Sequence, residues 1–183
     1  MTRIIGISGS LRRGSFNSAL LRAAVELMPA GAELKIESIE GISLYNGDVE
    51  AAEGIPTRVA ELKQTIAEGS GLLLATPEYN NSMPGVLKNA VDWLSRPASD
   101  IKGVFGGKPV AVMGASQGGF GTILSQNAWL PVLRTLGTRP YFGGRLLVSR
   151  AQTVFDERGA LQDEAIRKQL EQFLNGFIEF VHE

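Results

Sequence analysis

Three polar segments hold most of the side chains that could do chemistry. The first reads Gly9-Ser10-Leu11-Arg12-Arg13-Gly14-Ser15-Phe16-Asn17. It offers hydroxyls, an amide side chain, backbone N–H groups and the start of a helix, the ingredients of a site for one terminal phosphate. Ser10, Ser15 and Asn17 are the candidate side-chain donors, and Arg12 can neutralise charge. The same residues also fit a polar turn in which Ser15 does no more than cap the helix. The segment is neither G-x-G-x-x-G nor a Walker loop, which argues against cradling a dinucleotide pyrophosphate and against ATP or GTP hydrolysis.

The second segment runs Thr76-Pro77-Glu78-Tyr79-Asn80-Asn81-Ser82-Met83-Pro84-Gly85. Two prolines stiffen it. A rigid loop of this kind can present backbone N–H and C=O groups to the edge of a flat heterocycle, with Tyr79 as an aromatic wall. A plain strand–helix turn begun by Pro84 accounts for part of it. The third, Gly114-Ala115-Ser116-Gln117-Gly118-Gly119-Phe120-Gly121, has glycine at four of its eight positions. That permits close backbone approach to a ligand, or simply a flexible connection.

What is missing narrows the chemistry. The 183 residues include no cysteine and one histidine, the penultimate residue His182. A thiol nucleophile, a disulfide framework, Cys-ligated zinc or iron–sulfur clusters and a His-rich metal site are excluded. A Ser-His-Asp triad would need its histidine held rigidly, and chain ends fray. No metal site is expected, and reactivity is expected to come from a bound cofactor.

The loops need elements to hold them. Short apolar runs alternate with helix-period segments throughout the chain. Ile4–Ile7 reads as a buried strand, followed by a helix carrying Phe16, Leu20, Ala23, Ala24 and Leu27 on one face. Leu34, Ile36 and Ile39 predict a less buried edge strand. A helix from Pro56 carries Val59, Leu62, Lys63 and Ile66. Leu72-Leu73-Leu74-Ala75 is uniformly apolar, as a central parallel strand covered on both faces should be. Pro84 opens a helix with Leu87, Ala90, Val91 and Leu94 inward, and Val110–Met113 is the fourth strand. A helix over 122–136 is expected to be kinked or divided at Pro131, and Tyr141–Val148 is expected as a fifth strand. Ile166, Leu170, Phe173, Leu174, Phe177 and Val181 mark the last helix. Trp93 and Trp129 are expected in the core or at a subunit interface rather than stacked on a cofactor.

Five strands alternating with five helices predict a single α/β domain over residues 1–183. The count fits a flavodoxin-like three-layer sandwich around a parallel sheet, and the order 2-1-3-4-5 rests partly on a family resemblance. In such sheets ligands bind outside the carboxyl ends of the strands at the switch in strand order. All three polar segments fall there, which points to a ligand the size of a mononucleotide. The net charge of −1 argues against a nucleic-acid partner. No apolar run approaches the roughly 20 residues needed for membrane insertion, and the N-terminus does not read as a signal peptide. A soluble cytoplasmic location is the expectation, in keeping with the absence of cysteine.

The first segment, and the stretch Pro77-Glu78-Tyr79-Asn80-Asn81-Ser82-Met83-Pro84-Gly85-Val86-Leu87-Lys88-Asn89-Ala90-Val91-Asp92-Trp93-Leu94-Ser95-Arg96, resemble the signatures of the NADPH-dependent FMN reductases. Within that family the sequence is most similar to the bacterial chromate and quinone reductases, from about Arg3 to the last helix. The resemblance implies non-covalent FMN, NAD(P)H as co-substrate and a homo-oligomer, dimer or tetramer. By position, it implies that Ser10, Leu11, Arg12, Arg13, Gly14, Ser15, Phe16 and Asn17 wrap the phosphate and ribityl chain. Pro77, Glu78, Tyr79 and Asn80 would line the isoalloxazine ring, and Ser116, Gln117 and Gly118 would close the third side. The sequence departs from the family pattern mainly after Gly119, and residues 126–131 and the loop around Tyr141 are the expected subunit contacts.

The activity so implied carries electrons from NAD(P)H through FMN to quinones or to other small acceptors such as chromate, azo compounds, nitro compounds or flavins. No side chain need be strictly catalytic, and Tyr79, Asn80 and Asn81 would shape the acceptor pocket. Either Arg12 or Arg13 could meet NADPH phosphates or an anionic acceptor, and at least one of the two is expected to be a solvated surface arginine. The competing expectations are a flavodoxin-type electron carrier, against which the near-zero charge counts, and a flavin-dependent redox sensor.

Overall fold

A computed structural model describes all 183 residues. Strand β1 (Thr2–Ser8) occupies the second position of a parallel sheet, with β2 (Ala32–Glu37) at the edge beside it and β3 (Gly71–Ala75) on its other side. Next to β3 runs β4 (Pro109–Ala115), and the last position is shared by β5 (Arg139–Pro140) and β6 (Leu146–Val148), both parallel to β4. The order is therefore 2-1-3-4-5, as expected, with a sixth short strand.

The two faces of the sheet separate by the period-2 alternation of strand side chains. Ile4, Leu73, Ala75, Ala111 and Met113 point to the core beneath α1 (Phe16–Glu26) and α7 (Glu164–His182). Ile5, Ile7, Leu72, Leu74 and Val110 point to the opposite core. There they meet α3 (Thr57–Glu68), α4 (Gly85–Leu94) and α6 (Ile123–Thr135). Every residue of β3 is buried. That is why its sequence is continuously apolar, and each buried leucine contributes about 1.5–3 kcal/mol. At the edge, β2 buries Leu34 but leaves Ile36 41% exposed. Both tryptophans are fully buried in the core.

Three details depart from expectation. The fifth strand is not continuous over 141–148. Between the pairings Val110↔Pro140 and Met113↔Leu146, six steps of chain face three steps of β4, so the segment loops out. The loop is anchored by Tyr141, whose ring packs 5.5–5.7 Å from those of Phe173, Phe177 and Phe180. Helix α6 runs undivided past Pro131. Two short helices, α2 (Gly47–Glu53) and α5 (Ile101–Val104), add to the five expected. α2 buries no residue, so it leaves no apolar period in the sequence to read.

Candidate functional site

All three polar segments emerge at the carboxyl ends of β1, β3 and β4, and together they border a cleft of about 490 Å³. The cleft lies between the start of α1 and the loops after β3 and β4. That size suits a small cofactor.

The first loop caps α1. The Ser15 hydroxyl accepts a hydrogen bond from the Ser18 N–H at 3.3 Å, so the capping reading of Ser15 is correct. The cap occupies only one of the available groups. The backbone N–H groups of Leu11, Arg13, Gly14, Phe16 and Asn17 have no acceptor within the chain. No acidic residue occupies the first turn of α1, and Arg12 is in no ion pair. Free N–H groups at a positive helix end beside an unpaired guanidinium are the donor set a phosphate requires. A pair the sequence did not signal lies below them: the Ser18 hydroxyl donates to Ser8 Oγ at 2.9 Å, and Ser8 Oγ accepts from the Ser10 N–H at 3.4 Å.

Asn17 has a different task from the one expected. Its Nδ2 donates to the Ala115 carbonyl and its Oδ1 accepts from the Ala115 N–H, both at 2.9 Å and both buried. The side-chain amide is thus committed to locking the first loop onto the end of β4, and only the Asn17 backbone N–H is free to meet a ligand. Glu78 is committed in the same way. Its Oε2 accepts from the N–H groups of Leu124 and Ser125 at 2.9 and 3.1 Å. This caps α6, whose own N-cap residue, Thr122, makes no side-chain cap. Beneath the second loop the buried Thr76 hydroxyl meets Ser125 Oγ at 2.8 Å and Trp129 Nε1 at 3.1 Å.

Asn80 and Asn81 sit at the tip of a two-residue turn. It is closed by reciprocal backbone bonds between Tyr79 and Ser82 at 3.1 and 3.0 Å. Both asparagines have positive φ, 50° and 61°, a conformation this residue type tolerates and the turn demands. They are exposed and do not border the cleft, whereas Pro77, Glu78 and Tyr79 do.

Glycine explains how closely the loops approach. A Cβ on Gly9 would come within 2.9–3.0 Å of Pro77, Leu87 and Pro84, so the first loop can nest against the second only without a side chain there. A Cβ on Gly114 would collide with Thr122 Oγ1 and the Thr76 carbonyl. That glycine therefore serves loop-to-loop packing rather than ligand approach. In the third loop Ser116, Gln117 and Gly118 border the cleft, and the Ser116 N–H donates to Val148 at 2.9 Å. Ala115 also borders it, a residue the sequence reading passed over.

Of the fifteen residues expected around a cofactor, Ser10, Arg12, Ser15, Phe16, Asn17, Pro77, Glu78, Tyr79, Ser116, Gln117 and Gly118 border this one cleft. Leu11 and Asn80 do not, and Arg13 and Gly14 face a neighbouring groove. So Arg12 and Arg13 have different surroundings although adjacent in sequence. No helix is long and apolar enough to cross a membrane, and no cluster of three His, Asp or Glu side chains is placed to hold a metal ion.

A 2-1-3-4-5 parallel sheet with three mutually locked loops at its switch point defines a flavodoxin-like, mononucleotide-binding α/β protein. Comparison with known proteins makes the class specific. Residues 2–153 match the family described as NADPH-dependent FMN reductase. An NAD(P)H-dependent FMN reductase of Pseudomonas aeruginosa is 45% identical over 172 residues, covering 94% of this chain and 91% of that protein. A 2-hydroxy-1,4-benzoquinone reductase of a Burkholderia species is 37% identical over 181 residues, covering 99% and 97%. The solved structure of a flavoenzyme NAD(P)H:(acceptor) oxidoreductase from Paracoccus denitrificans superimposes with a TM-score of 0.88 at 31% identity, covering 100% of this chain and 98% of that one. The chain belongs to the NADPH-dependent FMN reductase family. It is an oxidoreductase, and FMN is its flavin.

Proposed function

We propose that residues 1–183 form one flavodoxin-like domain that passes electrons from NAD(P)H through FMN, held in the cleft between Ser10 and Gly118, to small quinones. The observation that carries this is the arc of unpaired N–H groups from Leu11 to Asn17 beside Arg12, fixed on a cradle of three interlocked loops. Names of relatives support the quinone: one is a 2-hydroxy-1,4-benzoquinone reductase. Chromate, azo compounds and free flavins belong to the same reading as further acceptors of the same electrons.

FMN bound in the cleft would supply the redox chemistry between NAD(P)H and the acceptor. The chain's own residues orient and shield. The N–H groups of the first loop and the Arg12 guanidinium would hold the phosphate. The backbone of Pro77–Tyr79 would line the ring, and Tyr79, 51% exposed at the border of the cleft, would meet the acceptor. Ser116–Gly118 close the third side. The one carboxylate bordering the cleft, Glu78, is bonded to two N–H groups, and neither histidine nor cysteine borders it. The side chains therefore act by positioning and need move no proton. Asn80 and Asn81, at the tip beyond Tyr79, act on acceptor choice through the turn that places that ring.

A homo-oligomer is part of the proposal. Exposed Leu130 and Phe142 flank one surface recess with Asn127, and Phe120 and Leu124 add apolar surface at the start of α6. Only part of the expected contact region is available for this, since Gln126 and Trp129 point inward. A cytoplasmic location completes the reading and rests on a cysteine-free composition that needs no oxidising compartment.

The test is spectroscopic. Purified protein should bind FMN, show flavin absorbance, bleach on anaerobic addition of NADH or NADPH, and recover its colour when a benzoquinone is added. Flavin that neither nucleotide bleaches would replace this proposal with an electron carrier or redox sensor.

A further inference from the structure

Behind the second loop lies a hydrogen-bonded group closed off from solvent. Thr76, Ser125 and Trp129 are all fully buried. The Thr76 hydroxyl is at its centre, 3.1 Å from Trp129 Nε1, 2.8 Å from Ser125 Oγ and 3.0 Å from the Pro77 carbonyl oxygen. The directions of these bonds follow from what each group can do. An indole N–H only donates and a carbonyl oxygen only accepts, while a hydroxyl has one proton to give and two lone pairs to fill. Thr76 therefore accepts from Trp129 and donates to Pro77. Its remaining lone pair takes the proton of Ser125 Oγ, which has no other partner. Bonds linked in this way polarise one another.

The chain of bonds ends on one peptide group, Pro77–Glu78. It is trans, so its C=O and N–H point to opposite sides. With the C=O turned to Thr76, the Glu78 N–H is turned the other way, and it has no acceptor within the chain. Pro77 and Glu78 both border the cleft. The Glu78 side chain ties the same segment to α6 a second time, its Oε2 accepting from the N–H groups of Leu124 and Ser125. Ser125 thus bonds to the loop twice, by its N–H to Glu78 and by its hydroxyl to Thr76. Helix α6 is the wall that holds this one free N–H in place.

We propose that Thr76, Ser125 and Trp129 are positioning residues that aim the Glu78 N–H at the flavin ring and so raise its reduction potential. The proposal rests on the flavin reading of the cleft. A reduced ring carries more electron density than an oxidised one, so a fixed N–H donor stabilises the reduced form more. A donor free to swing away loses that selectivity. Loosening the network should therefore lower the midpoint potential, beyond any general weakening of binding.

The test measures the midpoint potential of bound FMN, by anaerobic equilibration with reference dyes, in the full-length protein and three variants. T76V removes the hydroxyl and keeps the shape of the side chain, T76S keeps the hydroxyl, and S125A leaves Thr76 with one donor. FMN affinity is followed alongside by quenching of flavin fluorescence. In T76V the reduced flavin is expected to lose about tenfold more affinity than the oxidised flavin, a fall of about 30 mV for a two-electron couple. T76S should restore the potential of the unaltered protein, and S125A should shift it in the same direction as T76V by less. A hydroxyl with only a structural role would weaken both forms of the flavin equally. An unchanged potential in T76V therefore overturns the proposal, whatever stability is lost, and so does a T76S potential as low as that of T76V. If T76V does not fold, S125A decides: a lowered potential upholds the proposal and an unchanged one overturns it. Unaltered protein that takes up no flavin would remove the reading of the cleft itself, and this proposal with it.

Discussion

Asn17 and Glu78 border the cleft, but their side chains are bonded to the backbone of neighbouring segments. Each side chain spans from one loop to the backbone of another, so their removal acts first on loop geometry. Asn17→Ala would leave the buried N–H and C=O of Ala115 without their side-chain partner. We predict a loss of about 2–4 kcal/mol in urea unfolding, the sum of two unsatisfied backbone groups, together with weaker FMN binding. A variant with unchanged stability and weakened FMN binding would instead make Asn17 a direct ligand. For Glu78→Ala the expected loss is about 1 kcal/mol, the scale of a removed helix cap. Glu78→Gln keeps an acceptor oxygen for Leu124 and Ser125 and should restore most of both stability and FMN affinity. If Gln fails where Glu succeeds, the negative charge itself matters and the capping account is wrong.

At the scale of elements, the short helix α2 depends on ion pairs and hydrogen bonds where the larger helices depend on burial. α2 buries nothing and is tied down by Glu50, which accepts from Arg96 Nε at 2.8 Å and from Tyr45 Oη at 2.9 Å. The hydrogen bond from Arg96 holds the Glu50 carboxyl below its usual range, despite a smaller opposing effect of burial. Asp100, beside α5, is lowered chiefly by its hydrogen bond from Lys63. In Glu37 burial raises the carboxyl, but bonds from Arg58 and Lys35 outweigh it and the net shift is downward. A carboxyl whose folded pKa is depressed stabilises the fold above its unfolded value of about 4, and that contribution disappears as pH falls through the folded value. Melting temperature should therefore be level near neutrality and fall below about pH 4–5. Glu50→Gln should melt lower at pH 7 and show a shallower acid decline; an acid limb of unchanged depth would mean that Glu50 contributes none of it. These pairs are partly exposed, so the effect should shrink in high salt.

At the scale of the whole molecule, the apolar side chains without a partner within the chain are the informative ones. Leu130 and Phe142 are 38% and 73% exposed around one recess. In the proposed homo-oligomer a second copy would cover that surface. L130D/F142D is expected to reduce the mass measured by light scattering to that of one 19.6 kDa chain. Its melting curve should change by less than about 1 kcal/mol equivalent, as for other surface substitutions. A wild-type protein already at the mass of one chain would remove the oligomer from the proposal.

The sequence by itself determined the first four strands and the sheet edge where the polar loops gather, while the strand order rested partly on the family resemblance. These follow from local signals: the unbroken apolar run Leu72–Ala75, the 3.6-residue period of the helices, and polar, glycine-bearing loops after alternate strands. It also excluded thiol chemistry and a His-rich metal site outright, since composition needs no coordinates. The residue types of the site were legible for the same reason, and most of them do border one cleft. Their individual tasks were not, because the partner that decides each task lies far along the chain. Asn17 meets Ala115 from 98 positions away, and Glu78 meets Leu124 from 46. An asparagine that binds a ligand and one that clamps a backbone look alike in sequence. Similarly, nothing local in Tyr141–Val148 reveals that three residues too many face β4, so only the packing of Tyr141 against α7 divides that strand in two. Tertiary structure decided which polar groups remain free, and those free groups, the N–H arc of the first loop and the arginines beside it, are where ligands are expected to bind.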